Sequence, residues 1–226
     1  MTGVQSAEMQ RIQAGWFKEW QRYLIRTYCG DCITGLEVGC GSGMVMENLS
    51  DMIELKGLDL DRAEVENARK RGMDVIEGNG SELPFPDGSF DLVYSSFLFI
   101  WDPDMAGVLK EMIRVAGRKV VILGEPIWNR SIVYPSELSS LVLHERDIIM
   151  EEGGNPEAGR DLLDLISGMG LKHRFGLIPI DTSPEEMSRW VRLEREYTAK
   201  HGRVLDDLPS TLFYIPIVWA VIDISR

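Results

Sequence analysis

The stretch Leu36-Glu37-Val38-Gly39-Cys40-Gly41-Ser42-Gly43 constrains the fold of this chain more than any other. It closes an apolar run, Ile33 to Val38, that reads as a short buried strand, and it opens a segment, Gly43 to Leu49, with the pattern of a helix. Glycines at such a junction let the backbone turn tightly and approach a ligand with no Cβ atoms in the way. The helix beyond presents unpaired N–H groups and the positive end of its dipole. A strand, a glycine turn and a helix in this order form a cradle for a nucleotide or a nucleotide-like cofactor.

Three residues narrow the choice of cofactor. The dinucleotide fingerprint G-x-G-x-x-G/A needs a small residue at the third position, where this chain has Met44. Glu37 precedes the first glycine by two residues, beside the place of a pyrophosphate; its charge would repel phosphate and attract an ammonium group. Asp59 ends the run Ile53 to Asp59, where an acid takes the ribose hydroxyls in doubly wound nucleotide folds. A ribose, an ammonium group and no phosphate describe S-adenosylmethionine.

Two further stretches follow in register: Gly57-Leu58-Asp59-Leu60-Asp61, and the long run from Gly78-Asn79-Gly80 through Pro86-Asp87-Gly88-Ser89 to Phe90-Asp91-Leu92-Val93. With the glycine loop they give the chain, over residues 33–125, a resemblance to the class I S-adenosylmethionine-dependent methyltransferases, in particular their broad small-molecule branch. The resemblance implies an α/β, Rossmann-like fold: a doubly wound seven-stranded sheet, mostly parallel with the last strand antiparallel, plus a helical N-terminal segment and a cap insertion. It implies one methyltransferase domain over 1–226, divided into an N-terminal helical lid (1–30), the cofactor-binding core (33–125), a substrate cap (126–156) and the rest of the sheet with an inserted helix (157–226). It also implies roles for the matched residues. Glu37 accepts from the methionine ammonium, Gly39, Cys40 and Gly41 bring the backbone close, and Ser42 stands at the helix start. Asp59 takes the ribose, Leu60 lies against the adenine, Asn79 and Gly80 read the adenine edge, and Ser95 or Ser96 sits beside the methionine part.

Charge and composition exclude several other classes. Lys plus Arg number 24 against 36 Asp plus Glu, a net charge of −12, so nothing draws the chain to phosphate backbones, and nucleic acid is not an expected substrate. No stretch is apolar and long enough to span a membrane, and the first residues lack the basic and apolar regions of a signal peptide, which makes the cytoplasm the expected compartment. Cys29 and Cys32 form an isolated C-x-x-C after a helical segment. With three histidines in all, none nearby, they are read as structural thiols, and no metal is expected.

Periodicity supplies the remaining elements. Residues 6–28 carry apolar groups at three- and four-residue steps and read as a helix, either packed on the sheet or serving as a lid. Asp61 with Glu64 reads as a capping box for a helix over 62–71, and Asp102-Pro103 as the start of another running to Val115. Residues 118–123 are the fifth strand, 157–169 a helix and 171–180 a strand. Ser183 to Glu186 is a second capping box that opens a charged helix to about His201, with Glu196 and Lys200 paired along it, and 212–224 is a closing strand.

The region after the fourth strand departs from the family. Many relatives carry histidines there; this chain has Ile100 and Trp101. The Asn-Pro-Pro-aromatic sequence of nucleic-acid amine methylases is replaced by Ser95-Ser96-Phe97-Leu98. Phe99, Trp101, Trp128 and Tyr134 suggest an aromatic acceptor pocket, with simple packing of the cap as the alternative for the two tryptophans. Glu125 is the acid nearest the functional edge and the candidate catalytic residue. The leading reading is methyl transfer to a small-molecule acceptor by direct displacement. A non-catalytic cofactor-binding regulatory or partner subunit and a protein methyltransferase are the alternatives.

Overall fold

The computed structural model describes residues 7–179, 189–193, 196, 199–200 and 212–224. The expected first helix forms as α1 (Ala7–Tyr28). Then come β1 (Thr34–Val38), α2 (Met44–Leu49), β2 (Glu54–Asp59), α3 (Arg62–Lys70) and β3 (Val75–Glu77). The second half of the core is β4 (Phe90–Ser95), α4 (Met105–Val115) and β5 (Ala116–Pro126). A small sheet strand β6 (Ile132–Tyr134) and helices α5 (Ser139–Glu151) and α6 (Ala158–Gly168) lead to β7 (His173–Leu177), β8 (Leu212–Tyr214) and β9 (Ile217–Asp223).

Seven strands lie in the order β3-β2-β1-β4-β5-β9-β7. β1 to β5 pair in parallel, and β9 runs antiparallel to both of its neighbours, β5 and β7. The strands read as continuous apolar runs because both faces of the sheet are covered. In β5, Val120 and Ile122 join the layer that holds Leu36, Val38, Val108, Met112 and Ile166, under α4 and α6. Val121 and Leu123 alternate to the opposite layer with Leu24, Ile25, Leu92 and Tyr94, under α1. A third cluster, Cys40, Met46, Val65, Ala68 and Val75, seals α2 and α3 on that same second face.

Two close approaches fix the layers. A Cβ on Gly159, in the first turn of α6, would lie 2.7 Å from the Glu125 carbonyl oxygen and 3.1 Å from that of Pro126. Backbone cannot give way as a side chain can, so Gly159→Ala is expected to lower unfolding stability by about 1–3 kcal/mol, read in urea melts. On the same face, the guanidinium of Arg114 donates to the carbonyls of Leu83 (2.9 Å) and Phe85 (2.8 Å), and it pairs with Glu111 and Asp87, which ties the loop before β4 to α4.

Several element ends differ from the sequence reading. α4 is capped by Asp104, whose Oδ1 accepts from Gly107 N at 3.0 Å, while Asp102 accepts from Asp104 N one step earlier. The Asp-Pro pair therefore turns the chain ahead of the helix. β5 extends beyond Leu123 to Pro126, because β9 pairs along it as far as Ile217 opposite Pro126. The stretch 212–224 is not one strand: Pro216 interrupts it, β8 pairs with β6 in a separate two-stranded sheet, and β9 alone completes the main sheet. Residues 183–186, read as a capping box, lie outside the described residues; 189–193 beyond them are helical.

Candidate cofactor and acceptor site

The carboxyl ends of β1, β2, β4 and β5 converge on the glycine loop. Gly39, Gly41 and Gly43 all have positive φ, at +72°, +49° and +80°, a region other residues enter only at a cost. A Cβ on Gly41 would meet nothing within 4 Å, so the loop there faces open space. Asp59 braces this loop from β2: Oδ2 accepts from Gly41 N at 2.7 Å and Oδ1 from Asp61 N at 2.8 Å. Asp61 caps α3 through Ala63 N and Glu64 N. The return bond of a capping box does not form, because the Asp61 N–H that Glu64 would take already belongs to Asp59. Burial raises the Asp59 carboxyl above its ordinary value, and the two amides pull it back.

Glu37 lies 1 % exposed beneath the loop. It accepts from the Tyr94 hydroxyl at 3.2 Å and from the Met46 backbone in α2. Burial holds its carboxyl well above the usual carboxylate range, with the charge of Asp59 adding to the effect. The same burial, and the charge of Glu37, push the Tyr94 phenol up. Cys40 contributes its backbone alone to the loop, since its sulfur is buried among Met46, Val65 and Ala68. The Ser42 hydroxyl donates to Gln10 Oε1 of α1 at 3.4 Å.

At the end of β4 the chain turns sharply through Phe97, the single non-glycine residue with positive φ (+55°) among the described residues. Glu125 holds that turn: Oε1 accepts from Leu98 N (2.8 Å) and Phe99 N (3.0 Å), and Oε2 from Ile100 N (3.1 Å). Fully buried, its carboxyl is pushed up to about 8, against the pull of the three amides. A carboxylate with both oxygens spent on backbone amides is a clamp, and proton transfer to an acceptor does not fit its surroundings. The turn leaves the hydroxyls of Ser95 and Ser96 shielded and without a hydrogen-bond partner. On the adenine side of the expected cofactor, Leu60 is 67 % exposed although apolar. Asn79 Oδ1 accepts from Ser81 N and from the Ser81 hydroxyl, both at 3.0 Å, so its Nδ2 is the group left to face a ligand next to Gly80.

The four aromatic residues expected to line an acceptor pocket separate. Phe99 is sealed in the core layer under α4, and Tyr134 lies exposed on β6. Trp101 packs against the edge of that core. Trp128, just after β5, reaches both this core and a second apolar cluster of Met9, Leu141, Val142, Trp190 and Val191. Trp16 of α1 packs on the same second cluster, its ring tilted at 52° and 4.7 Å from that of Trp190. The helical periodicity of α1 marked Trp16 as apolar-face; nothing local marked it as facing the cap. Glu145, on the inner side of α5, is also buried, which its charged sequence neighbours Arg146 and Asp147 concealed. Among the described residues no three of His, Cys, Asp and Glu gather as a metal cluster, and no helix is long and apolar enough to cross a membrane.

The residues present fit S-adenosylmethionine. The two carboxylate oxygens of Asp59 each keep a lone pair for a ribose hydroxyl, the Ser95 and Ser96 hydroxyls lack partners, and an apolar side chain stands exposed where an adenine would cover it. A parallel sheet of order 3-2-1-4-5 extended by an antiparallel strand, with a glycine turn after its first strand, defines a Rossmann-like methyltransferase fold. Residues 36–122 match the family model described as a methyltransferase domain, which supports a class I S-adenosylmethionine-dependent methyltransferase. A demethylmenaquinone methyltransferase of Bacillus licheniformis is 41 % identical over 101 residues, which are 40 % of this chain and 44 % of that protein. The chain thus covers less than half the length of such relatives. Among solved structures, the YcgJ protein of Bacillus subtilis superposes with a TM-score of 0.58 at 17 % identity, covering 92 % of this chain and 98 % of its own. A geranyl diphosphate methyltransferase in complex with S-adenosylmethionine gives 0.59 at 16 % identity, covering 92 % and 85 %. Both show the shared fold.

Proposed function

We propose that this protein binds S-adenosylmethionine and transfers its methyl group to a small, largely apolar acceptor. The carrying observation is the pair of shielded, unpartnered hydroxyls of Ser95 and Ser96 beside a glycine loop that Asp59 holds open. Asp59 takes the ribose hydroxyls, Leu60 covers one adenine face, and Asn79 with Gly80 meets the adenine edge. Glu37, buried under the loop with Tyr94, is the acid that balances the ammonium charge. The bound cofactor supplies an already activated methyl carbon, so the chain's own work is to orient the acceptor and exclude water. α1 serves that exclusion: Gln10 reaches Ser42, and the Phe17 ring meets Phe97 at 5.5 Å, so the helix lies over the loop and the turn as a lid.

With Glu125 committed to three backbone amides and no histidine between β4 and α4, the acceptor is one whose nucleophilic atom needs no strong base. The name of the Bacillus licheniformis relative supports a ring-bearing, apolar acceptor, as does the segment 126–156, which supplies Trp128 and α5 as a cap. Calorimetric titration with S-adenosylmethionine and S-adenosylhomocysteine, followed by mass spectrometry of naphthoquinol and phenol acceptors, tests the reading. We expect micromolar binding of both and a product 14 Da heavier from at least one apolar acceptor (order-of-magnitude affinity typical of enzyme substrates). Binding without transfer to any acceptor would favour the regulatory or partner-subunit reading. Absence of binding by the folded protein would remove the enzyme reading altogether.

A further inference from the structure

Trp16 and Trp128 each carry an indole N–H without a partner, and both pack on one apolar cluster. Trp16 Nε1 and Trp128 Nε1 are both shielded from solvent and neither has a hydrogen-bond acceptor. They come from unrelated elements, the lid helix α1 and the turn after β5, yet pack on one apolar cluster, Met9, Leu141, Val142 and Trp190 among its members. An indole nitrogen can only donate, and a buried donor left unpaired is costly enough that native structures rarely keep one without a purpose. Here two donors meet on a single cluster, which packing alone does not require, since phenylalanine would fill the space with no polar cost.

The place of this cluster is set by contacts on three sides. α1 touches the glycine loop through Gln10 and Ser42, and the β4 turn through Phe17 and Phe97. Trp128 is held beside the end of β5 by its backbone N–H, which donates to the Pro156 carbonyl at 2.9 Å. α5 closes the third side with Leu141 and Val142. The cluster thus lies over the carboxyl edge of the sheet, next to the Ser95–Ser96 turn. α1 is tied to α2 and the turn after it by Asn48 to the Ala14 carbonyl and by the two-pronged Arg22–Asp51 pair (2.5 and 2.8 Å), and it meets the glycine loop through the Ser42 hydroxyl on Gln10 at 3.4 Å.

We propose that this cluster is the acceptor subsite and that Trp16 and Trp128 donate their indole N–H groups to oxygen of the acceptor, which is a neutral, planar, apolar molecule bearing a carbonyl or hydroxyl oxygen. The inference rests on the methyltransferase reading above and specifies its substrate. The lining fixes the chemistry. Apolar walls and the tilted Trp16–Trp190 pair accommodate a flat ring system. N–H donors reject a cation, and the apolar walls make an anion costly to bury. An oxygen acceptor satisfies both donors at once, and a hydrocarbon of the same shape satisfies neither.

The test uses the full chain with S-adenosylhomocysteine added, and two probes of matched size, 1,4-naphthoquinone and naphthalene, in equilibrium dialysis. The wild type is expected to prefer the quinone by about tenfold, the effect of one to two net hydrogen bonds. W16F and W128F keep an aromatic ring and lose the donor; each is expected to cut the preference several-fold while naphthalene binding and S-adenosylhomocysteine affinity stay within about twofold. No quinone preference in the wild type, or a preference that survives in both variants, would overturn the proposal. W128F stands apart from the Trp16–Trp190 stacking, so it decides the matter if W16F folds poorly. Loss of S-adenosylhomocysteine binding by the wild type would instead strike the underlying methyltransferase reading.

Discussion

Asp59→Ala is expected to weaken S-adenosylhomocysteine binding by at least about 100-fold, the loss of two hydrogen bonds to a charged acceptor at about 1.5–3 kcal/mol each. The structure adds a second consequence. Asp59 is also what pins Gly41 N and Asp61 N, so its removal slackens the glycine loop and the start of α3 together. Asp59→Asn separates the two effects: its amide keeps one oxygen for a backbone N–H and turns an NH2 toward the other. It should therefore bind worse than wild type and better than alanine, with a smaller drop in melting temperature. Calorimetry on the three proteins checks the order, and an alanine variant binding within threefold of wild type would remove Asp59 from the ribose role.

The second large effect concerns Glu125 and is one of stability. Glu125→Ala strands three buried N–H groups at Leu98, Phe99 and Ile100, and an expected loss of about 3–5 kcal/mol follows from uncovering such a cluster. The pH dependence has a definite sign. Burial raises the folded-state value of this carboxyl from 4.5 to about 8, so between those values the unfolded chain has given up a proton that the folded chain keeps. Stability therefore falls as pH rises from about 4.5 to about 8 and levels off above. Glu37, raised in the same direction, steepens the fall. Urea melts at pH 5, 6.5 and 8 should show this decline in the wild type and a shallower one in Glu125→Gln, which has no proton to lose. An unchanged slope in the variant would mean that Glu125 is already ionised at pH 5 and that its three amides outweigh burial.

The clamp also bears on catalysis. The sequence offers Glu125 as the acid nearest the functional edge, and its position at the end of β5 agrees with that. Its use as the hub of the Phe97–Ile100 turn depends on residues some 25 to 27 positions earlier coming back beside it. Proximity along a motif does not reveal what a side chain is bonded to. The same holds for Glu37, whose partner Tyr94 is 57 positions away, and for Asp61, whose reciprocal cap is forestalled by Asp59.

What the sequence determined by itself is the cofactor half of this protein. The short apolar runs of the strands, the glycines of the loop and the acid closing β2 are local features, each read within a few residues, and their order alone specifies the parallel core and the cradle at its edge. Only the tertiary structure decided where the aromatic residues outside this half go. Phe99 went to the core and Tyr134 to the surface, while Trp16 and Trp128, 112 positions apart, came to pack on one apolar cluster with Leu141 and Val142 of α5. The physical reason is that α1 packs with the turn after β5 and with α5, segments more than a hundred residues away, where hydrophobicity marks a residue for burial and is silent on which apolar surface will bury it.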